Sequence, residues 1–271
     1  MSEPIRVLFI SQEIYPYLSE QTPMRVLNRK LPEYCQANGC DTRTFMPKFG
    51  EINERRNQLH EVIRLSGTNI MIGDMDHPIL IKVASIQSAR LQVYFIDNDD
   101  YFKKRRGVAD ANGVDYPDND ERTIFYCRGV METIIRQRWT PDIIHVSGWM
   151  SALAPLYIKK AFCDTPFLAQ PKVVFSVFDQ DTMNKSFDSK FADKLLVPGI
   201  TKADVESIAG KKVTYNQLIN LAIDYSDAVV QSSPSIPNAI KTHIKKTELP
   251  FLDYQETTEA YLDFYKQLLN R

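Results

Sequence analysis

The apolar positions of this chain fall into short runs rich in β-branched residues, and longer stretches with a helical period separate these runs. Residues 5–11 and 173–178 are almost continuously apolar, which is typical of strands in a parallel sheet that is covered on both faces. Three shorter runs of the same character are found at residues 42–46, 143–145 and 228–231. The pattern predicts a Rossmann-like, doubly wound α/β fold in which these five strands are neighbours in one mainly parallel sheet.

Between the runs, apolar residues recur at helical spacing, so helices are predicted on both faces of the sheet. One of them begins near Asp118 or Asp120, either of which is a suitable N-cap residue. The last occupies residues 253–271 and begins with Asp253 and Glu256, whose spacing matches a capping box. The other predicted helices are residues 24–38, 153–162, 215–223 and a basic segment that ends near residue 246.

Residues 60–97 interrupt this alternation and are predicted to form a β-hairpin insertion. Strand-like pieces separated by turn residues are found at residues 62–65, 70–72, 79–83 and 91–96. The polar segment 97–120 is typical of an exposed loop. No low-complexity linker divides the chain, so residues 1–271 are expected to form a single domain.

Composition excludes several classes of function. The 33 Lys and Arg residues nearly balance the 34 Asp and Glu residues, so no overall charge attracts nucleic acid or an anionic membrane. No apolar stretch is long enough to span a bilayer and no signal peptide is seen, so the expected location is cytoplasmic. The 4 cysteines lack metal or disulfide spacing and are expected to be buried, reduced thiols; neither a metal nor a cofactor is predicted.

The most informative segment is residues 141–157, with the sequence Pro-Asp-Ile-Ile-His-Val-Ser-Gly-Trp-Met-Ser-Ala-Leu-Ala-Pro-Leu-Tyr. It predicts a buried strand, a tight turn and an apolar helix, which places His145, Ser147 and Trp149 at the carboxyl edge of the sheet. Ligands of open α/β sheets bind at that edge. His145 is therefore a candidate functional residue, although a histidine at a strand end is also explained as a structural, hydrogen-bonded residue.

This segment resembles the glycogen and starch synthases, in which a His-x-His-Asp-Trp-His run precedes an Ala-Pro helix. The resemblance covers most of residues 5–235 and implies the N-terminal, acceptor-side half of a GT-B glycosyltransferase of family 5. It also implies α-1,4-glucan (glycogen) metabolism, with ADP- or UDP-glucose as the donor of the parent activity. Similar motifs in the same order are residues 7–16, 45–50, 93–102, 115–122 and 226–234.

Departures from the family pattern bear on activity. At the positions of the family's His-x-His-Asp-Trp-His run, this chain has Ser147 in place of the second His, Gly148 in place of the Asp and Met150 in place of the last His. The family's Lys-Thr-Gly-Gly-Leu loop, whose backbone amides approach the donor phosphates, is replaced by residues 18–24, which contain a carboxylate and a proline but no glycine. The family's second domain is not found, so the chain is expected to be a short form that is inactive alone.

The resemblance implies that a glucan contacts five residues, and His145 is the candidate for a catalytic role. Each has a structural alternative: Asp118 and Arg122 as an N-cap and an i,i+4 helix pair, and Trp149 as a core aromatic residue. If this surface binds glucan, replacing Trp149 and Arg122 by Ala should abolish binding without unfolding the protein. The five candidate binding residues are Asp118, Asn119, Arg122, His145 and Trp149.

Functions of two classes follow from the resemblance. The chain is expected to be a glucosyltransferase half whose donor-binding half comes from a separate protein. The alternative is a non-catalytic glucan-binding or regulatory partner of a full synthase, including a pseudoenzyme with a scaffolding role. The expected partners are an α-glucan, such as glycogen or a maltooligosaccharide, and a separate donor-domain or synthase protein.

Overall fold

A nine-stranded sheet forms the centre of the protein in a computed structural model that describes residues 3–179 and 183–271. The strands of the described chain are β1 (Arg6–Ser11), β2 (Asp41–Pro47), β3 (His60–Glu61), β4 (Asn69–Ile72), β5 (Met75–Pro78), β6 (Leu80–Ile86), β7 (Leu91–Asp97), β8 (Ile143–Ser147), β9 (Lys172–Val177), β10 (Ala228–Gln231) and β11 (Phe251–Leu252). The order in the large sheet is β11-β10-β9-β8-β1-β2-β7-β6-β3, and β4 and β5 form a separate hairpin.

The predicted doubly wound sheet is confirmed, because the five predicted strands are neighbours in the order β2-β1-β8-β9-β10. Strand β1 pairs in parallel with β2 on one side and with β8 on the other. The chain therefore winds in opposite directions from the middle of the sheet, between β1 and β8. The carboxyl edge near such a switch point is where open α/β sheets place their ligand sites.

Helices cover both faces of the sheet. On one face, Val7 and Phe9 of β1 pack with side chains from the first and last helices; on the other, Leu8 and Ile10 pack with the remaining core. This alternation follows from the period of two along a strand, since both faces of a parallel sheet must be apolar. The helices are α1 (Pro23–Ala37), α2 (Asn119–Gln137), α3 (Ala154–Lys159), α4 (Phe191–Lys194), α5 (Tyr215–Asp224), α6 (Asn238–Thr247) and α7 (Glu259–Leu269).

Residues 60–97 differ in part from the prediction. They do contain hairpins, but β6 and β7 extend the main sheet, where β7 pairs in parallel with β2. Only the β4–β5 hairpin stands apart from that sheet. Residues Ile63–Leu65, expected in a strand, form a 3-10 helix in which Leu65 turns into the core and Ile63 stays exposed.

The C-terminal helix begins later than predicted. Asp253 and Glu256 have the spacing of a capping box, but α7 begins at Glu259. The reason is that Phe251 and Leu252 are extended and pair with β10, so the chain must first cross back from the sheet edge to its face. Within the described ranges, no helix combines the length and apolar character that a transmembrane span requires.

Candidate functional site

A pocket of about 650 Å³ lies at the carboxyl edge of the sheet, where the loops after β1, β9 and β10 meet the start of α1. We call it the carboxyl-edge pocket. It is lined by Gln12, Glu13, Phe178, Asp179, Asn184, Ser233, Pro234 and residues 20–25. Three parallel strands thus deliver the side chains of this pocket, so its walls are fixed by the central sheet.

The start of α1, which forms one wall, is already occupied by the chain's own groups. The Thr22 Oγ1 accepts a hydrogen bond from the backbone N–H of Arg25 (3.2 Å), and Pro23 at the first turn has no N–H to offer. A helix N-terminus attracts anions through its free amides and its positive dipole end. One amide is capped and another is missing. This wall therefore has fewer free N–H groups to bind an anion than an uncapped helix N-terminus has.

Carboxylates dominate the charge of the pocket. Among the described residues that line it, Glu13, Glu20 and Asp179 are acidic and Arg25 is the basic residue. The Nε of Arg25 lies 2.7 Å from Glu13 Oε2, and both side chains are largely buried. The guanidinium also lies 3.6 Å from the carboxylate of Glu20, which is 78% exposed. Arg25, the cation among the described lining residues, is therefore engaged by carboxylates, and the net charge of these residues repels an anion.

The polar positions lost from the His-x-His-Asp-Trp-His pattern are filled by internal contacts. Ser147 Oγ, fully buried, donates to Asn28 Oδ1 (2.7 Å), and Asn28 Nδ2 donates to the Glu13 carbonyl (2.9 Å). Gln12 Oε1 accepts from the backbone N–H of Met150 (3.0 Å). These bonds lock the turn after β8 to the loop after β1, so the segment supports the pocket wall.

Gly148 permits this packing through its backbone conformation and its lack of a side chain. Its φ is +87°, and an added Cβ would lie 2.5 Å from Gln12 Cβ. The substitution Gly148→Ala is expected to lower the free energy of unfolding by about 1–3 kcal/mol more than Gly67→Ala does. Gly67 has φ +88° but nothing within 4 Å, so it controls for backbone strain. Urea denaturation of both variants measures the difference, and equal losses would contradict the close approach of Gln12.

Three of the predicted binding residues lie together at the start of α2. Arg122 is fully buried and donates to the carbonyls of Tyr101 (2.7 Å) and Gly107 (2.8 Å) and to Asn119 Oδ1 (2.6 Å). Burial lowers the pKa of Arg122 to about 10, so the guanidinium is charged at neutral pH. Asp118 does not form the expected i,i+4 pair; its carboxylate binds the guanidinium of Arg105 (2.9 Å).

His145 is held between the sheet and α7. Its Nε2 lies 2.8 Å from Ser176 Oγ on β9, and its Nδ1 lies 2.7 Å from the hydroxyl of Tyr265. The ring is buried, and burial lowers the pKa of His145 to about 3, so the imidazole is neutral. This geometry matches the structural alternative, because the ring lies against α7 with both nitrogens hydrogen-bonded.

Trp149 is fully buried and packs edge-on against Phe187, at 5.9 Å between ring centroids. The structure therefore brings Asp118, Asn119 and Arg122 together, while His145 and Trp149 lie elsewhere in the core. Because both side chains are fully buried, Arg122→Ala and Trp149→Ala are now expected to destabilise the fold, contrary to the expectation from the sequence that they leave it intact. Among the five candidate binding residues, Asp118 has a carboxylate that is partly exposed. Glucan binding by these residues stays a prediction.

Part of the carboxyl-edge pocket is visible in the sequence, since residues 20–24 belong to the segment that replaces the family's phosphate-binding loop. Glu13 and Ser233 lie in two of the motifs that resemble the family, but neither is predicted as a ligand contact. The available signal was topological: each follows directly on a buried parallel strand. The cysteines also differ from expectation at one position, because Cys163 is exposed while Cys35, Cys40 and Cys127 are buried.

Comparison with known proteins gives consistent matches. Residues 6–251 match the family described as the starch synthase catalytic domain. A glycogen synthase of Chlorobaculum parvum is 30% identical over 239 residues, which cover 87% of this chain and 47% of that protein. A glycogen synthase of Chlorobium limicola is 35% identical over 173 residues, covering 64% of this chain and 35% of that protein. The chain therefore spans about half the length, or less, of these relatives.

A solved structure agrees at the level of the fold. The catalytic domain of starch synthase IV from Arabidopsis thaliana, bound to ADP and acarbose, superposes with a TM-score of 0.68 and 17% identity. The match covers 93% of this chain and 51% of that one. The expected GT-B-type fold is confirmed, and so is the resemblance on which it was based.

Proposed function

Because the chain belongs to the starch synthase catalytic domain family, we propose that it is the acceptor-side part of a glycogen- or starch-synthase-type glucosyltransferase that does not transfer glucose by itself. The observation that carries this proposal is the charge of the carboxyl-edge pocket. A nucleoside diphosphate leaving group needs cations or free amides to stabilise its developing charge. The pocket offers three carboxylates and a guanidinium engaged by Glu13 and Glu20.

The same pocket suits a neutral, hydroxyl-rich ligand. Carboxylates accept hydrogen bonds from sugar hydroxyls without any electrostatic penalty from a charged ligand. The pocket volume of about 650 Å³ lies in the range of small-molecule sites, and Phe178 and Pro234 give it an apolar part. An α-1,4-glucan is therefore the ligand class that we assign, and ADP- or UDP-glucose is the donor of the parent activity rather than a ligand of this chain.

A second candidate is a non-catalytic glucan-binding or regulatory partner of a full synthase. The observation that favours it is the motif segment, in which Ser147 and Gly148 serve internal packing and hold no exposed polar group. Mixing the chain with the C-terminal part of the Chlorobaculum parvum glycogen synthase distinguishes the two candidates. Restored transfer from ADP-glucose favours the split enzyme, and unchanged inactivity with glucan binding favours the regulatory partner.

The purified chain is expected to show no measurable transfer of glucose from ADP-glucose or UDP-glucose to glycogen. The physical reason is the unstabilised diphosphate in a pocket lined by carboxylates. Incorporation of radiolabelled glucose into glycogen measures this, with the full-length Chlorobaculum parvum enzyme as the positive control. Turnover of even roughly one per second, an ordinary enzyme rate, would overturn the proposal.

Maltoheptaose is expected to bind weakly, with a Kd on the order of 0.1–1 mM, and ADP-glucose not at all. Glu20→Gln and Asp179→Asn should each weaken maltoheptaose binding about 3–10-fold, since each replaces one of the two acceptor oxygens by an amide donor and removes the negative charge. Isothermal titration measures the affinities, and Asp118→Asn tests the other predicted contact site in the same way.

Asp263→Asn, on the exposed side of α7, is the matched control for these variants and should bind maltoheptaose like the unmodified chain. The assignment of the ligand is contradicted if maltoheptaose causes no chemical-shift changes at millimolar concentration. It is also contradicted if the shifts map away from both the carboxyl-edge pocket and Asp118.

A further inference from the structure

The end of α1 brings two cysteines together through its capping geometry. The backbone N–H of Cys40 donates to the Cys35 carbonyl (3.0 Å), and the N–H of Gly39 donates to the Gln36 carbonyl (3.2 Å). Gly39 has φ +86°. These two bonds and the left-handed glycine define a Schellman motif, in which the side chains at the two ends of the longer bond contact each other. In most proteins that contact is between two hydrophobic residues; in this chain it is between two thiols.

The pair is reachable from solvent at one of its members. Cys35 is fully buried, whereas Cys40 is 9% exposed and lines a cavity of about 240 Å³ between the end of α1 and α7. Leu262 and Lys266 of α7 line the same cavity. A small solute that enters this cavity meets Cys40 first and the ammonium group of Lys266 beside it.

The two thiols differ in acidity. The hydrogen bond from Cys35 lowers the pKa of Cys40, burial opposes this change, and the charge of Lys266 adds to the lowering. The hydrogen bond to Cys40 and burial together raise the pKa of Cys35. Cys40 is thus the more acidic of the two thiols. A thiolate is the reactive form of cysteine.

We propose that Cys35 and Cys40 are a redox-responsive pair that closes into a disulfide on exposure to a hydroperoxide and reopens with a dithiol. The Cys40 thiolate attacks hydrogen peroxide, its sulfur becomes a sulfenic acid, and hydroxide leaves and takes up a proton. The Cys35 sulfur then attacks the Cys40 sulfur, an S–S bond forms, and water leaves with the Cys35 proton. The two thiols lose two electrons and two protons in total, and one peroxide becomes two waters.

Peptide mapping of the whole chain tests this assignment. Residues 31–43 form one tryptic peptide that contains both Cys35 and Cys40. After brief treatment with hydrogen peroxide and alkylation without reductant, this peptide should lose two hydrogen atoms and take up no alkylating agent. Dithiothreitol before alkylation should restore two alkylation sites. Cys127 is buried and has no neighbouring cysteine, so it should react at least about tenfold more slowly than this pair.

Single variants separate the two roles from a purely structural contact. In Cys35→Ala, Cys40 should accumulate as a sulfenic acid that dimedone traps, whereas in Cys40→Ala the thiol at Cys35 should stay reduced. Lys266→Met should slow the oxidation of Cys40 and leave that of the exposed Cys163 unchanged. The proposal is overturned if residues 31–43 still carry two alkylated cysteines when Cys163 is already oxidised. It is also overturned if the disulfide forms only in urea.

Discussion

Replacing Arg122 by methionine is expected to lower the free energy of unfolding by about 3–5 kcal/mol. Methionine keeps a long, flexible stem but removes the guanidinium, so three acceptors, two of them buried and one partly buried, each lose a donor. They are the carbonyls of Tyr101 and Gly107 and the side-chain oxygen of Asn119. Each unsatisfied buried acceptor costs about 1–3 kcal/mol, and part of this is offset because a buried charge is also removed.

The contacts of Arg122 also predict where the damage occurs. Two of its acceptors belong to the segment between β7 and α2, and the guanidinium lies over the rings of Phe49, Phe102 and Tyr116. Without it, residues 98–118 lose two of the hydrogen bonds that attach them to α2. Limited proteolysis of Arg122→Met should therefore cut first inside this segment, before any site in the central sheet.

Urea denaturation measures the loss of stability, and Arg136→Met is the matched control. Arg136 lies on the same helix, but its side chain is exposed, so the same substitution should change the free energy of unfolding by less than about 0.5 kcal/mol. If Arg122→Met costs no more than this control, the buried guanidinium is not what fastens the segment between β7 and α2.

The fold was largely predictable because a buried parallel strand has a signature in the sequence. A strand covered on both faces must be apolar at successive positions, and residues 5–11 and 173–178 show this directly. Strand β6 is predicted as a strand, but its place in the main sheet is not, since the β6–β7 hairpin joins that sheet through pairing of β7 with β2, which is distant in sequence. The start of α7 is not predicted for a similar reason, because pairing of Phe251 with β10 overrides a local capping pattern.

The candidate site was less predictable, because exposure of a polar side chain is a property of the tertiary structure. Arg122 follows Asp118 at the spacing of a surface pair, and nothing local shows that its guanidinium turns inward. The structure decides this by supplying carbonyls from residues 101 and 107, far away in sequence. The pocket charge was partly predictable, since the loss of glycines and the presence of Glu20 are visible in residues 18–24.

A chain of hydrogen bonds through His145 gives the fold a dependence on pH. It runs from the Tyr265 hydroxyl to His145, then to Ser176 Oγ, to Ser232 Oγ (2.9 Å) and to the Tyr261 hydroxyl (3.2 Å). Burial raises the pKa of Tyr265 well above its usual value, so this hydroxyl keeps its proton. The hydrogen bonds link β8, β9 and the residue after β10 to α7, and they place a neutral imidazole, with one donor and one acceptor nitrogen, between Tyr265 and Ser176.

Stability is therefore expected to fall as the pH is lowered from 6.5 to 5.0, by about 2 kcal/mol from His145 alone. The folded pKa of His145 is about 3, while an unfolded histidine has a pKa of about 6.5. Below pH 6.5 the unfolded chain binds a proton that the native chain does not, so unfolding becomes more favourable as the pH falls. The contribution is complete above pH 6.5 and is lost by about pH 3, a total of roughly 4–5 kcal/mol.

Urea denaturation at pH 7.0, 6.0 and 5.0, in each case with His145→Gln and His60→Gln beside the unmodified chain, tests this dependence. His145→Gln should be less stable at pH 7.0 because its packing and hydrogen bonds change, but its stability should vary much less between pH 6.5 and 5.0. His60, which is exposed, is the matched control, and its substitution should leave the slope intact. An unchanged slope in His145→Gln would show that the proton taken up on acid unfolding binds elsewhere. The predicted pH dependence follows from the neutral imidazole between Ser176 and Tyr265. Its hydrogen bonds hold α7 against the sheet, and their contribution to stability is largest above pH 6.5.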